Sequence, residues 1–477
     1  MEKDNKKIVE WMKSIYWGAL SILLILQNGC TPVAERKEDI KTDEKRMEWF
    51  ADAKLGIFIH WGIYAVNGTS ESWSFYNGQT TYEEYMSQAG GFKAENYYPE
   101  KWVKLIKESG ARYTVLTTKH HDGFALWNTE AGTLSSVKSA PAGRDLLSGF
   151  ADAVRAEGLK LGFYYSLIDW SHNDYPGFTR EVNRYEISNE PERWERFLNF
   201  NFAQLKELNE KWRPDLYWFD GDWEHSAEEW KADSIVRLLR STNPEVVINS
   251  RIQGYGDYAT PEIGVPVVRP KDKYWELCYT INDNWGYRPN DTNFKTPQML
   301  LNTFVDCLSM GGNLLLDIGP MADGTIPQEE VEVLKAFGRW IAKHAEAVYG
   351  TRAGISGDCF NGRTSLNCKG DVLFLYLPYK PIGRLCVKGI MNEIRQVRVV
   401  GSGRLLDFKI YNKLSWSEVP GVLYIDLPEE ELDPNITVLA VELDACHVRH
   451  IVTMLSSITE IILLFFWFLN RNTIKFL

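Results

Sequence analysis

Two kinds of side chain in this sequence stand where they could do chemistry: carboxylates and histidines that follow short apolar stretches. Asp220 comes directly after Leu216-Tyr-Trp-Phe219 and before Gly221. An aspartate ending a buried strand, with a glycine that lets the chain turn, is presented at a sheet rim. Burial there disfavours its charge unless a cation or hydrogen-bond donor holds it. The same aspartate could instead cap a helix. Asp222 and Glu224 lie close by but farther from the strand. Hydrolysis of a glycosidic bond needs two carboxyl groups, one to attack or position water and one to protonate the leaving oxygen. A later loop offers Glu262, in Gly256-Asp-Tyr-Ala-Thr-Pro-Glu262, and a later strand-like run offers Glu276, in Tyr274-Trp-Glu-Leu-Cys278. Glu262 suits a mobile acid, whereas Glu276 fits a buried ion pair at least as well.

His60, His120 and His121 also follow apolar runs. Neighbouring histidines on a strand point to opposite faces, and neither H-x-H nor H-E-x-x-H is present, which disfavours a metal hydrolase. Neutral imidazoles exchanging hydrogen bonds with sugar hydroxyls fit better, with core histidines as the plain alternative. The 18 Trp and 23 Tyr point the same way, because flat indole faces suit the C–H faces of sugar rings. A net charge of -11 provides no basic field, so no nucleic-acid partner is expected. Seven cysteines without zinc spacing argue against a structural metal, and no cofactor is called for.

These residues must be carried by elements that bring them to one place. Helical stretches alternate with short apolar strands: 102–109 leads to 113–117, 146–157 to 160–164, 193–212 to 215–219, and 227–242 to 246–249. Strands apolar on both faces and separated by helices read as a parallel sheet wrapped in helices. No G-x-G-x-x-G follows any of them, so a dinucleotide fold loses ground. Polar residues cluster just past the strands, as they do at the C-terminal rim of a barrel. The expected fold class is α/β: a (β/α)8-like barrel followed by a small antiparallel β-sandwich, whose alternating strands begin near Gly350.

The ends differ from the middle. Lys3, Lys6 and Lys7, an apolar run and Gly29-Cys30 resemble a lipoprotein signal with a relaxed lipobox, which makes Cys30 the lipidation site. Residues 1–29 then read as the signal peptide, 30–45 as a charged tether, 46–349 as the catalytic barrel, 350–445 as the sandwich and 446–477 as an apolar tail of unassigned role. The expected setting is export, with a periplasmic or outer-membrane-anchored lipoprotein contacting the membrane through its lipid. An oligomer is compatible with the sequence.

Ordered motifs then identify a resemblance. Lys54-Leu-Gly-Ile-Phe-Ile-His-Trp-Gly62, Lys119-His-His-Asp-Gly-Phe124, Gly162-Phe-Tyr-Tyr-Ser166, Leu216-Tyr-Trp-Phe-Asp-Gly221 and Asn313-Leu-Leu-Leu-Asp-Ile-Gly-Pro320 resemble the α-L-fucosidases of glycoside hydrolase family 29. The resemblance implies a retaining, exo-acting enzyme that removes terminal α-L-fucose from a fucosylated oligosaccharide or glycoconjugate. Carried over by motif, Asp220 becomes the nucleophile and the Thr260-Pro-Glu262 loop favours Glu262 over Glu276 as acid/base. His60, His120 and His121 would hold fucose hydroxyls. Trp73, Tyr164 or Tyr165, Trp218 and Arg251 would line the pocket, with Trp285 near the fucose methyl. Many relatives have Ser-Glu-Trp where this chain has Glu71-Ser72-Trp73, which leaves a role for Glu71 open. Retention would place the two carboxyls about 5–5.5 Å apart. The rival reading is a non-catalytic surface glycan-binding protein on the same scaffold.

Overall fold

The computed structural model describes residues 44–416 and 419–444. Its first part is built on seven strands: β1 (Leu55–Ile59), β2 (Tyr113–Lys119), β3 (Lys160–Ser166), β4 (Leu216–Asp220), β5 (Val247–Ile248), β6 (Glu276–Thr280) and β7 (Asn313–Ile318). All neighbours pair in parallel, in the order β5-β4-β3-β2-β1-β7-β6. The eighth position is filled by irregular chain. Residues 257–263 bridge β5 to β6: Asp257 N–H donates to Ile248 O at 2.6 Å, Glu276 N–H to Ala259 O at 2.9 Å, and Ile263 N–H to Cys278 O at 3.2 Å. This segment ends in Thr260-Pro261-Glu262, so the piece that closes the barrel also carries the second candidate carboxylate.

Two features hold the closing segment. The buried Asp257 carboxylate accepts two 2.8 Å bonds from Arg240 and one of 3.0 Å from Ile248 N–H. At Gly256 a Cβ would lie 1.9 Å from Asn249 O, so only glycine lets the chain pass so close to β5.

Helices α1 (Glu44–Ala53), α2 (Pro99–Glu108), α3 (Leu147–Ala156), α4 (Pro191–Trp212), α5 (Ala232–Thr242), α6 (Pro297–Met310) and α7 (Gln328–His344) accompany the strands. α2 and α4 begin on a proline, where the missing N–H costs no hydrogen bond. α6 begins on Pro297 under a Thr296 cap and ends at Gly311, whose φ of 82° stops it. The stretch 227–242, which reads as one helix, is broken at Lys231 (φ 53°) into a single turn, Ala227–Trp230, and α5. α1 lies under the barrel, with Met47 and Phe50 packed among the interior residues Phe58, Tyr113 and Leu315.

Strand alternation decides which side chains enter this interior. Tyr164 and Trp218 point in, whereas Tyr165 and Phe219 join the outer layer under the helices.

A second part has a five-stranded antiparallel sheet, in the order β8 (Arg352–Ala353), β9 (Arg363–Leu366), β10 (Val372–Leu377), β15 (Thr437–Leu443), β12 (Ile394–Val399). A three-stranded sheet, β11 (Leu385–Lys388), β14 (Val422–Ile425), β13 (Phe408–Tyr411), faces it. Leu373, Leu375, Leu439 and Val441 fill the space between the sheets. Their alternates Phe374, Tyr376, Val438 and Ala440 join the barrel's own core. The seam is also hydrogen-bonded: Trp340 Nε1–H donates to Ile436 O at 3.0 Å, and the Tyr376 hydroxyl donates to Ala347 O. Cys359 and Cys368, close in sequence, are both free thiols.

This shared core predicts coupled unfolding. Phe374→Ala should cost about 3–5 kcal/mol, and calorimetry should show one transition moved down in temperature rather than a separate loss of the sandwich.

Candidate active site

The C-terminal ends of the barrel strands gather the residues singled out by type. Asp220 is the last residue of β4, and Gly221 turns the chain with φ 83°. Its carboxylate is nearly buried and has defined partners. Arg251 Nη1 donates to Oδ1 at 3.0 Å, and the Tyr164 hydroxyl donates to Oδ2 at 3.0 Å. The helix-cap alternative finds no support, because Asp220 ends a strand and its side chain caps no helix.

Arg251 has a second charge to answer. Its Nη2 donates to Glu262 Oε2 at 2.6 Å, while Nε donates to Thr260 Oγ1 at 2.9 Å and Nη2 to Thr260 O at 3.3 Å. The guanidinium also lies over the Trp218 ring, 4.5 Å from its centroid. Burial alone would lower its pKa, but the Asp220 and Glu262 carboxylates outweigh burial and raise it. One planar cation therefore spans the two carboxylates, one nearly buried and the other partly open to solvent.

The three histidines share one arrangement. His60 Nδ1 lies 2.7 Å from Asp317 Oδ1, His120 Nδ1 lies 2.6 Å from Ser72 Oγ, and His121 Nδ1 lies 2.6 Å from Ser166 Oγ. Each ring is held from behind and keeps Nε2 for the pocket. At His121 the tautomer follows from its partner. Ser166 Oγ donates to Ile168 O at 2.7 Å, so it accepts from His121 Nδ1–H, leaving Nε2 with a lone pair. Nε2 sits 3.7 Å from Asp220 Oδ2, as two acceptors would. Burial lowers the pKa of all three, reinforced at His60 by His120 and at His120 by His121. At His121, burial with Lys119, His60 and Arg251 brings it down to about 3. All three are neutral at pH 7, so the free Nε2 of each can meet a hydroxyl group: as an acceptor at His121, and at His60 and His120 as donor or acceptor according to the tautomer.

Aromatic rings complete the walls. Trp285 lies 5.1 Å from His60 and 6.2 Å from Phe58 between ring centroids. Trp73 stands perpendicular to His121 at 5.4 Å. Glu71, whose role the sequence leaves open, is buried and accepts from Gly286 N–H at 2.6 Å, which fixes the turn next to Trp285. Burial raises its pKa.

Two residues singled out from the sequence go elsewhere. Tyr165 does not reach the pocket: alternation turns it outward, where its hydroxyl lies 2.8 Å from Asn201 Oδ1 and 3.2 Å from Lys119 Nζ. Glu276 is the first residue of β6, hence at the opposite end of the strand from the rim. It is fully buried beneath Trp218, whose Nε1–H donates to it at 3.0 Å, and it also accepts from the Tyr113 hydroxyl. Burial pushes it up to about 7.

Sequence reading missed the histidine supports Ser72, Ser166 and Asp317. Only Asp317 carried a signal, as a lone charge inside the apolar strand Asn313-Leu-Leu-Leu-Asp-Ile318. Among the described residues, no group of three or more His, Cys, Asp or Glu side chains forms a metal site.

Comparison with known proteins places the chain among relatives of one kind. The family model described as Alpha-L-fucosidase matches residues 27–346. Tissue alpha-L-fucosidase of Mus musculus is 30% identical over 428 residues, covering 83% of this chain and 89% of its own. The structure of alpha-L-fucosidase isoenzyme 1 from Paenibacillus thiaminolyticus aligns with a TM-score of 0.76 at 33% identity, covering 84% of this chain and 99% of that one. An alpha-L-fucosidase from Bacteroides thetaiotaomicron, solved as a trapped covalent intermediate with 2-fluoro-fucosyl fluoride, aligns with a TM-score of 0.75 at 27% identity, covering 85% and 97%.

The buried acid under Trp218 makes a pH prediction. The folded-state pKa of Glu276, about 7, lies above the ordinary 4.5. Its contribution to stability is therefore complete below the lower value and lost as pH rises through the upper one. Glu276→Gln has no proton to lose. Its melting temperature relative to wild type should rise between about pH 5 and pH 8, as read by thermal melts across that range.

Proposed function

The chain belongs to the alpha-L-fucosidase family, and on that premise we propose that it is an exo-acting hydrolase releasing terminal α-L-fucose with retention of configuration. The observation that carries this reading is Arg251 joined to both Asp220 and Glu262 at the barrel rim. Carboxylates gripped by one guanidinium are close neighbours, as the two-step, retaining route requires.

In the first step an Asp220 oxygen attacks the anomeric carbon while Glu262 gives its proton to the departing glycosidic oxygen. The C–O bond to the aglycone breaks as the bond to Asp220 forms, leaving a covalent fucosyl-enzyme. In the second step Glu262 takes a proton from water, the hydroxide oxygen attacks the same carbon, and Asp220 leaves as carboxylate. Arg251 and the Tyr164 hydroxyl hold Asp220 in place. Arg251 also balances negative charge that moves between the carboxylates during the cycle. Glu262, partly open to solvent on its Pro-containing segment, can meet both an aglycone and the water that follows it. The neutral histidines bind fucose hydroxyls, and Trp285 offers an apolar face for the sugar's methyl group.

Residues 46–349 are proposed as the catalytic barrel and residues 350–445 as the C-terminal β-sandwich. Residues 1–43 and 445–477 lie outside the described residues, and with them the signal peptide, the lipidated Cys30 and the apolar tail. Among the described residues no helix is long and apolar enough to cross a membrane. We propose export with anchoring through Cys30, because a small residue precedes that cysteine after a basic and then apolar run.

On this reading Asp220→Ala should cut kcat on an aryl fucoside by about 10³-fold or more; near wild-type turnover would mean another nucleophile. Azide should restore the rate of Glu262→Ala on an activated aryl fucoside and yield fucosyl azide, whereas Glu276→Ala should show no such rescue. For the anchor, palmitate labelling in a bacterial host should disappear in Cys30→Ser.

A further inference from the structure

Lys119 takes no part in the chemistry above, yet its charged side chain is wholly enclosed by the protein, directly before His120 and His121. Regular alternation would aim it elsewhere. Tyr113 and Val115 of β2 point into the barrel, and residues two apart on a strand share a face. Lys119 would then enter the pocket, and His120 would turn away from it.

A bulge reverses this. Thr117 pairs with Tyr164 on β3 but Lys119 pairs with Tyr165, so Thr118 is an extra residue in β2. Past the bulge Lys119 shares the outward face of Tyr165, and the inward place falls to His120. Thr118 itself supplies one tie, its hydroxyl donating to Tyr164 O at 2.6 Å.

The lysine is gripped in the outer layer. Its Nζ donates to the Tyr165 hydroxyl at 3.2 Å and to Asn201 Oδ1 on α4 at 3.4 Å, and lies 3.6 Å from Asp169 Oδ2. It also sits over the rings of Tyr165 and Phe200. Burial brings its pKa down to about 8, and Asp169 opposes the fall, so the ammonium stays charged at pH 7. Asp169 is fixed in turn: its Oδ1 accepts from Ser171 N–H at 3.1 Å and from His172 N–H at 3.0 Å. A Cβ at Gly123 would lie 2.4 Å from this carboxylate, which therefore presses against the turn after the histidines. The next residue, Trp170, donates its N–H to His121 O at 2.8 Å. Lys119 and Asp169 thus join the loops past β2 and β3 behind the pocket.

We propose that Lys119 is a positioning residue for sugar recognition: its clamp on Tyr165, Asn201 and Asp169 holds the bulged register from which His120 and His121 face the ligand. This rests on the fucosidase reading and deepens it, because it supplies the reason that adjacent histidines both reach one pocket. Lys119 touches no substrate and acts only through the two imidazoles.

Two variants test it. Lys119→Met/Asp169→Asn removes both charges together, so no unpaired ion stays buried. Tyr165→Phe removes one clamping hydroxyl and keeps the ion pair. Each is assayed on an aryl α-L-fucoside and on its 2-, 3- and 4-deoxy analogues with the same enzyme samples, so any loss of folded protein cancels in the ratios. In the double variant kcat/KM on the parent fucoside should fall about tenfold or more. On at least one deoxy analogue, which lacks a hydroxyl that His120 or His121 meets, the fall should be smaller by about threefold or more. Tyr165→Phe should move the ratio for the same analogue in the same direction by about twofold or more, and it decides alone if the double variant yields no folded enzyme. Smaller shifts in these ratios mark a purely structural role and overturn the proposal, as does a double variant that matches wild type on the parent fucoside. Wild-type enzyme inert on the parent fucoside would overturn the fucosidase reading itself, a separate outcome.

Discussion

One guanidinium holds the two halves of the site together. Arg251 binds Asp220, which ends a regular strand, and Glu262, which ends the irregular segment that closes the barrel. Its other donors grip Thr260 in that same segment. Removing one partner of such an arrangement would leave a charge poorly compensated in a partly buried site, which is why groups of this kind are costly to break. The closure of the fold and the pairing of the carboxylates are thus one feature. Asp257 with Arg240 secures the start of the segment, and Arg251 secures its end.

Around that charge centre the site is built from neutral groups with fixed directions. Burial keeps all three histidines uncharged, and a separate partner holds each Nδ1. Protonated imidazoles beside Arg251 would add repulsion, whereas neutral ones can satisfy several hydroxyls of a sugar without changing the charge balance. Positioning by serine and aspartate from behind is what turns three ordinary core histidines into a directional surface.

Much of this is legible in the sequence because the relevant signals are local. Apolar runs followed by polar residues mark the strands and their rim, and that is enough to bring Asp220, His60, His120 and His121 to one end of a barrel. Alternation is harder to apply. The pair Tyr164-Tyr165 cannot be split without knowing the phase of the strand, and the phase depends on partners far away in the chain. Glu276 reads equally as a rim acid or a buried group because the run Tyr274–Cys278 does not show where its strand begins; starting at Glu276, the strand buries it at the end away from the rim. The eighth position of the barrel has no strand-like pattern at all. Gly256 and Pro261 mark a loop, and only the hydrogen bonds to β5 and β6 make that loop part of the barrel. The supports Ser72 and Ser166 are invisible for a similar reason, since a serine near a histidine acquires meaning only in three dimensions.

On the proposed mechanism Asp220 forms the covalent bond to the sugar. Incubation with 2-fluoro-fucosyl fluoride followed by proteolysis and peptide mass spectrometry tests it most directly, because the fluorine slows both steps while the fluoride leaving group keeps the first one going. The expected result is a fluorofucosyl adduct on Asp220, with activity lost in step with labelling. An adduct on any other carboxylate, or turnover with no adduct on an active enzyme, would contradict it.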